Sequence, residues 1–181
     1  MNETTRECNG AMKDNIVLIG MPGAGKSTVG VILAKTLGYD FIDTDILLSR
    51  QMGMTLQSYI DAYGIEAFLK TEERMALTLT CSKTVIATGG SMVLSEAAMR
   101  HLNKNSTTVF IDVPMDELIR RLKNIRTRGI AKKSGQTVGD VYRERLPFYT
   151  EYASFKVPEI SVESPDIEAV VAEIVLNLRG Q

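Results

Sequence analysis

The chain has 181 residues, 44% hydrophobic and 24% charged, which suits one globular domain with its own core and argues against a disordered, collagen-like or disulfide-scaffold chain. Lys and Arg number 21 against 22 Asp and Glu, so a strongly basic nucleic-acid binder is not expected. Two cysteines, Cys8 and Cys81, form neither a metal spacing nor a disulfide framework. No run reaches the roughly 18 apolar residues of a membrane span, and the expectation is a cytoplasmic monomer with no membrane or nucleic-acid partner.

Residues 1–14 are polar, lack the apolar core of a secretory leader and read as a disordered extension, with Met12 a possible alternative start. Residues 15–181 read as a single domain. Asn15-Ile16-Val17-Leu18-Ile19-Gly20 is a short apolar run ending in glycine, the pattern of a buried parallel strand. Helical spacing follows over 25–37, with Val29, Ile32, Leu33 and Leu37 on one face and Gly38 closing it. A second strand is predicted over 39–42, and helical segments broken near Gly53 and Gly64 over 43–79. Strands over 84–88 and 107–112 follow, then a helix opened by Pro114. Residues 127–137 are poor in apolar side chains and read as a mobile loop carrying Lys132 and Lys133. A helix over 138–153 in spite of Pro147, a fifth strand over 160–162 and a helix over 166–178 complete the chain. Strands alternating with helices imply a parallel sheet covered on both faces, an α/β/α sandwich.

Gly20-Met21-Pro22-Gly23-Ala24-Gly25-Lys26-Ser27 fits the phosphate-binding pattern G-x-x-x-x-G-K-[ST] at every fixed position, between a predicted strand and a predicted helix. Glycines let successive backbone N–H groups turn toward phosphate oxygens, and the helix directs its positive end at the same anion. The expectation is that residues 23–28 (Gly23, Ala24, Gly25, Lys26, Ser27 and Thr28) hold the phosphates, that Lys26 reaches the β- and γ-phosphates and that Ser27 ligates Mg²⁺. The Asn-Lys-x-Asp guanine signature is missing, because Asn103-Lys104-Asn105-Ser106 fails at its last position.

Phe41-Ile42-Asp43-Thr44-Asp45 ends the second strand with two acids. If strand geometry continues through them, both side chains share a face beyond the strand's carboxyl end, where ligands of parallel sheets bind. One acid could hold Mg²⁺ through water and the other accept a proton from an attacking hydroxyl. In the alternative, Asp43 or Thr44 caps the following helix.

Taken with Thr28-Val29-Gly30, Leu37-Gly38-Tyr39-Asp40, Val85-Ile86-Ala87-Thr88-Gly89-Gly90, Ile111-Asp112-Val113-Pro114 and Arg145-Leu146-Pro147-Phe148-Tyr149, these stretches resemble the shikimate kinase family in order and spacing. The resemblance implies a P-loop kinase fold, like that of nucleoside-monophosphate kinases, with five parallel strands. It implies ATP- and Mg²⁺-dependent phosphorylation of a hydroxyl on a small carboxylic acid. By that resemblance Asp43 assists Mg²⁺, and Asp45 binds the acceptor hydroxyl and takes its proton. Gly89 and Gly90 line the acceptor site and Arg145 clamps the acceptor carboxylate. Arg128 closes over the phosphates from a lid at about 124–137, Arg126 lies against adenine and 162–165 form the adenine-side turn.

Three departures concern the acceptor side and the lid. Where the family has Phe-Arg-x-x-Glu, with the arginine on the shikimate carboxylate, this chain reads Phe68-Leu69-Lys70-Thr71-Glu72. Leucine offers no polar contact, and losing one charge-assisted bond costs about 1.5–3 kcal/mol, or one to two decades in affinity. Lys70 lies about 100° around a helix from position 69, while Arg74 is a turn away. A third glycine is replaced by Ser91, and Arg128-Gly129-Ile130 stands in place of Arg-Pro-Leu. Glu72 matches the family glutamate, and reads either as an orienting acid or as an exposed helix acid. His101 reads as a surface residue. Three functions remain open: a shikimate kinase, a sister kinase acting on another hydroxy acid, polyol or amino-alcohol, and a nucleotide-binding regulator without turnover.

Overall fold

The structure, a computed structural model, describes residues 13–123, 130–132, 135–158 and 167–180. Five parallel strands, β1 (Asn15–Ile19), β2 (Asp40–Asp43), β3 (Thr84–Ala87), β4 (Ser106–Asp112) and β5 (Phe155–Pro158), form one sheet in the order β2-β3-β1-β4-β5. Every residue of β1 and β3 is buried, as unbroken apolar strands in the middle of a two-sided sheet must be. Val17 sits opposite Ile86 on one side and Thr108 on the other, so β1 is the centre of the register. The chain leaves β1 toward β2 on one flank, and the β3–β4 connection crosses to the other. That makes the carboxyl end of β1 the place where the strand order reverses and ligands are received.

Helices α1 (Lys26–Leu37), α2 (Thr44–Met52), α3 (Leu56–Tyr63), α4 (Ile65–Thr78), α5 (Glu96–Asn103), α6 (Met115–Lys123), α7 (Val138–Tyr152) and α8 (Ile167–Arg179) surround the sheet, with a 3₁₀ turn at Met92–Leu94. The helical stretch after β2 breaks at Gly53 and Gly64 as the glycines suggest. α7 runs through Pro147 and is started by a reciprocal cap between Thr137 and Asp140. α1 lies close on the sheet: a Cβ at Gly30 would stand 2.6 Å from the Phe41 ring.

The fifth strand is a correction. It lies at Phe155–Pro158, where Val109 pairs with Phe155, rather than at 160–162, which falls outside the described residues. Phe155 and Val157 alternate with Lys156, the pattern of a strand at the sheet's edge, where a terminal proline costs no ladder bond. α5 carries its apolar residues Ala98, Met99 and Leu102 on one buried face, in a stretch the sequence reading left unassigned. Among the described residues no helix is long and apolar enough to cross a membrane.

Candidate active site

The turn after β1 becomes α1 without a side-chain cap. Its N-cap is Gly25, in the left-handed conformation, and no acid occupies the first turn. The leading N–H groups of α1 are therefore not satisfied by a capping side chain, the condition for an anion site at a helix start. Lys26 is buried, and its Nζ donates to the carbonyls of Gly20 and Met21, each at 2.8 Å, so the ammonium is held across the loop. Arg121, which sequence reading did not single out, reaches the same loop: Nη1 donates to the Gly23 carbonyl at 3.2 Å, while Nε donates to Glu117 one turn earlier on α6. Only the i, i+4 spacing of Glu117 and Arg121 hinted at this from the sequence. Hydrogen bonds from Arg120 and Arg121 hold the Glu117 carboxyl down at about 2.

Strand geometry does not continue through the paired acids. Asp43 is the last residue of β2 and caps α2, its Oδ1 accepting from the N–H groups of Asp45 and Ile46 at 3.0 and 3.2 Å. Asp45 therefore sits in the first helical turn, and a helix replaces the expected strand face because the cap satisfies the orphan donors of the helix start. Both acids still face one cavity of ≈ 680 Å³ together with Ser27. Asp43 Oδ2 has no hydrogen bond among the described residues, and with the Ser27 hydroxyl it offers the hard oxygen donors that suit Mg²⁺. Thr44, between the acids, is fully buried, and its Oγ1 accepts from the N–H of Gly89 at 2.9 Å, tying the start of α2 to the glycine turn after β3.

That turn rests on the phosphate loop. A Cβ at Gly90 would come within 2.5 Å of Pro22 Cδ, and one at Gly89 would lie 2.3 Å from Glu72 Oε1 and 2.7 Å from Asp45 Oδ1. Lys26, Asp45, Gly89, Gly90, Ser91 and Arg145 all line a second, small cavity of ≈ 30 Å³. Arg145 is buried. Its Nη2 donates to the Ala131 carbonyl, and its Nη1 has no partner among the described residues. Tyr149, one turn on, donates to the Gly90 carbonyl at 2.6 Å and stacks on Phe110, and burial pushes its phenol up so that it remains a donor.

Glu72 is buried at 1% exposure, which removes the reading of an exposed helix acid. Its Oε2 accepts from the Ser91 hydroxyl at 2.7 Å, and Oε1 has no hydrogen-bond partner among the described residues. Burial raises its carboxyl to about 7 against the pull of the Ser91 bond, with the charge of Asp45 adding to the rise. Leu69 is half-buried in a cleft with Lys70, Glu72 and Ser91, and neither Lys70 nor Arg74 pairs with Glu72. His101 is half-buried against the Leu79 carbonyl at 2.8 Å. Arg126, Arg128 and 162–165 lie outside the described residues.

Residues 22–179 match the family model described as shikimate kinase. A shikimate kinase from Paracidovorax citrulli is 34% identical, over 91% of this chain and 91% of its own.

This chain belongs to the shikimate kinase family.

In structure it is similar to a shikimate kinase from Acinetobacter baumannii in complex with shikimate, at a TM-score of 0.83 and 27% identity, covering 94% of this chain and 96% of that one. It is also 38% identical to threonine synthase-like 1 from Homo sapiens over 90% of this chain, although it spans only 22% of the length of that relative. Leu69 and Ser91, the departures read in the sequence, line one cleft with Glu72, and Ser91 bonds its carboxyl.

Proposed function

We propose that this chain transfers the γ-phosphoryl group of ATP to a hydroxyl of a small carboxylic acid, with shikimate as the first acceptor and shikimate 3-phosphate and ADP as products. The observation that carries this reading is the joining of the two loops. Gly90 packs on Pro22, so the acceptor turn and the phosphate cradle share the cavity lined by Lys26, Asp45 and Arg145. Family membership supports the reaction type.

The phosphates lie over residues 23–28, with Arg121 a further cation at the cradle. Ser27 and Asp43 would hold Mg²⁺, which offsets phosphate charge when bound. Arg145 Nη1 takes an acceptor carboxylate oxygen. Asp45 orients the acceptor hydroxyl and receives its proton as the new O–Pγ bond forms and the bond from Pγ to the bridging oxygen of ADP breaks. Lys26 stabilises the charge on the transferring group. By the family resemblance Arg128 would join it from a lid at 124–137 and Arg126 would lie by adenine, both outside the described residues. In this reading 15–181 work as one catalytic unit, a monomer in the cytoplasm.

The test is acceptor-dependent ADP release. Turnover with shikimate that falls at least 10²-fold in Asp45→Asn, with ATP affinity kept, supports the assignment. Leu69 favours a second reading, a different hydroxylated acceptor, which turnover confined to such an acceptor would establish. Tight ATP binding without turnover on any acceptor would leave the regulator.

A further inference from the structure

The two cavities of the site differ greatly in size. The one lined by Gly90 and Arg145 measures ≈ 30 Å³, room for about one water, while the one lined by Asp43 measures ≈ 680 Å³, within the range of small-molecule sites. Ser27, Asp45 and Leu56 line both, so the larger cavity begins at the reaction centre and runs away from it along α2. Asp45, Ile46, Ser49 and Arg50 stand at i, i+1, i+4 and i+5, one stripe of that helix, and all four line the cavity. α2 stops at Gly53, whose left-handed conformation lets its N–H donate to the Arg50 carbonyl at 3.3 Å, and Thr55 caps α3 two residues later. This short link sets Met54 and Leu56 on the same cavity as the α2 stripe. Along its length the lining changes character. Acids and the Ser27 hydroxyl occupy one end, Ile46 and Met54, 50% and 36% exposed, flank the middle, and Ser49 and Arg50 close the far end. Neither the Ser49 hydroxyl nor the Arg50 guanidinium has a hydrogen bond or ion pair among the described residues, so Arg50 is not tied to Asp43 or Asp45. The five residues from Asp45 to Arg50 correspond to a rise of about 7.5 Å.

We propose that Arg50, with the Ser49 hydroxyl beside it, is a distal anion subsite of the acceptor, taking an oxyanion carried at the far end of a molecule whose reacting hydroxyl lies at Asp45. The carbon skeleton between the two covers Ile46 and Met54, which are otherwise apolar surface left to water. A guanidinium offers a planar fork that matches a carboxylate or a phosphate with two parallel bonds, and a neighbouring hydroxyl can supply a third. The acceptor class is then a hydroxy acid with a second anionic group, more extended than an acid held at Arg145 alone. This rests on the phosphotransfer reading for the chemistry at Asp45 and goes beyond it in naming a second group that the substrate carries. Arg50 is exposed, so its contribution is selectivity of modest size rather than most of the affinity.

The experiment is calorimetric binding, run beside ADP release, with the full chain saturated with ATP·Mg²⁺ or a non-hydrolysable analogue so that the phosphate loop is filled. The ligands are shikimate and two matched pairs that differ only at the far end: 2-hydroxyhexanoate against 2-hydroxyadipate for a carboxylate, and erythronate against 4-phosphoerythronate for a phosphate. In the wild type at least one doubly anionic ligand binds about fivefold or more tightly than its partner, and the pair that shows this names the anion. Arg50→Gln brings that ratio toward one. Arg100→Gln, which removes an exposed arginine on α5, leaves it in place. Ratios near one for both pairs in the wild type, a preference that survives Arg50→Gln, or one that falls equally in Arg100→Gln overturns the proposal. A preference lost in Arg50→Gln without ADP release from any acceptor removes the phosphotransfer reading and leaves the subsite. Turnover with shikimate and ratios indifferent to Arg50 remove the subsite and leave the kinase.

Discussion

Lys26 and Glu72 are both buried, and their surroundings treat them in opposite ways. Two carbonyls solvate the Lys26 ammonium and hold it over the loop. Replacing it with alanine removes charge stabilisation where phosphoryl transfer needs it, and kcat for ADP release is expected to fall by about 10²–10³. A fall of less than tenfold would take Lys26 out of the transfer step. Burial of Glu72, with one hydroxyl partner and no paired cation among the described residues, pushes its carboxyl up to about 7 in the fold against an ordinary value of 4.5. The folded state then binds a proton that the unfolded chain has released. The contribution to stability is therefore complete below pH 4.5 and is lost as pH rises through 7. Between pH 5 and pH 8 this amounts to about 2–3 kcal/mol. Urea denaturation should show wild type losing that much more stability over this interval than Glu72→Gln, which has no titrating group at position 72. Equal losses in the two proteins would mean that Glu72 is charged throughout.

At the scale of elements, the site is a junction of three loops at the carboxyl ends of β1, β2 and β3. Thr44 bonds the β2 end to Gly89, and Gly90 seats the β3 turn on Pro22. A Cβ at Gly90 would meet the Pro22 ring and its nitrogen at 2.5 to 3.0 Å, and a proline ring has little room to yield. Gly90→Ala is therefore expected to push the acceptor turn off the phosphate loop, at about 1–3 kcal/mol in stability and at least tenfold in kcat. Thermal melts and steady-state kinetics check this, and a variant with normal turnover would show that the two loops move independently. The order of the first four strands, and of the helices other than α5, was readable from the alternation of short apolar runs with helical spacing. The fifth strand was not, because four residues at a sheet edge carry little pattern and are recognisable only through their pairing with β4.

For the whole molecule, the proposed nucleotide site spans α1 and loops that exist only when the sheet is assembled. Saturating ATP·Mg²⁺ at about a hundred times its Kd is expected to add roughly 2.7 kcal/mol to stability. For a chain of this size that is an upward Tm shift of about 5–10 °C in a thermal melt, reduced in Lys26→Ala. No shift with either ATP or ADP would overturn the nucleotide site.

The sequence by itself determined the phosphate loop, the alternating architecture and the family, because each depends on residue types at short fixed spacings. Only the tertiary structure decided what Asp43 does, since whether an acid continues a strand or caps a helix depends on where the backbone turns. It also decided that Leu69, Glu72 and Ser91 form one cluster and that Arg121 touches the phosphate loop. Those contacts join residues 19 and 98 positions apart, and burial and partnership at such separations arise from packing, which local pattern does not encode.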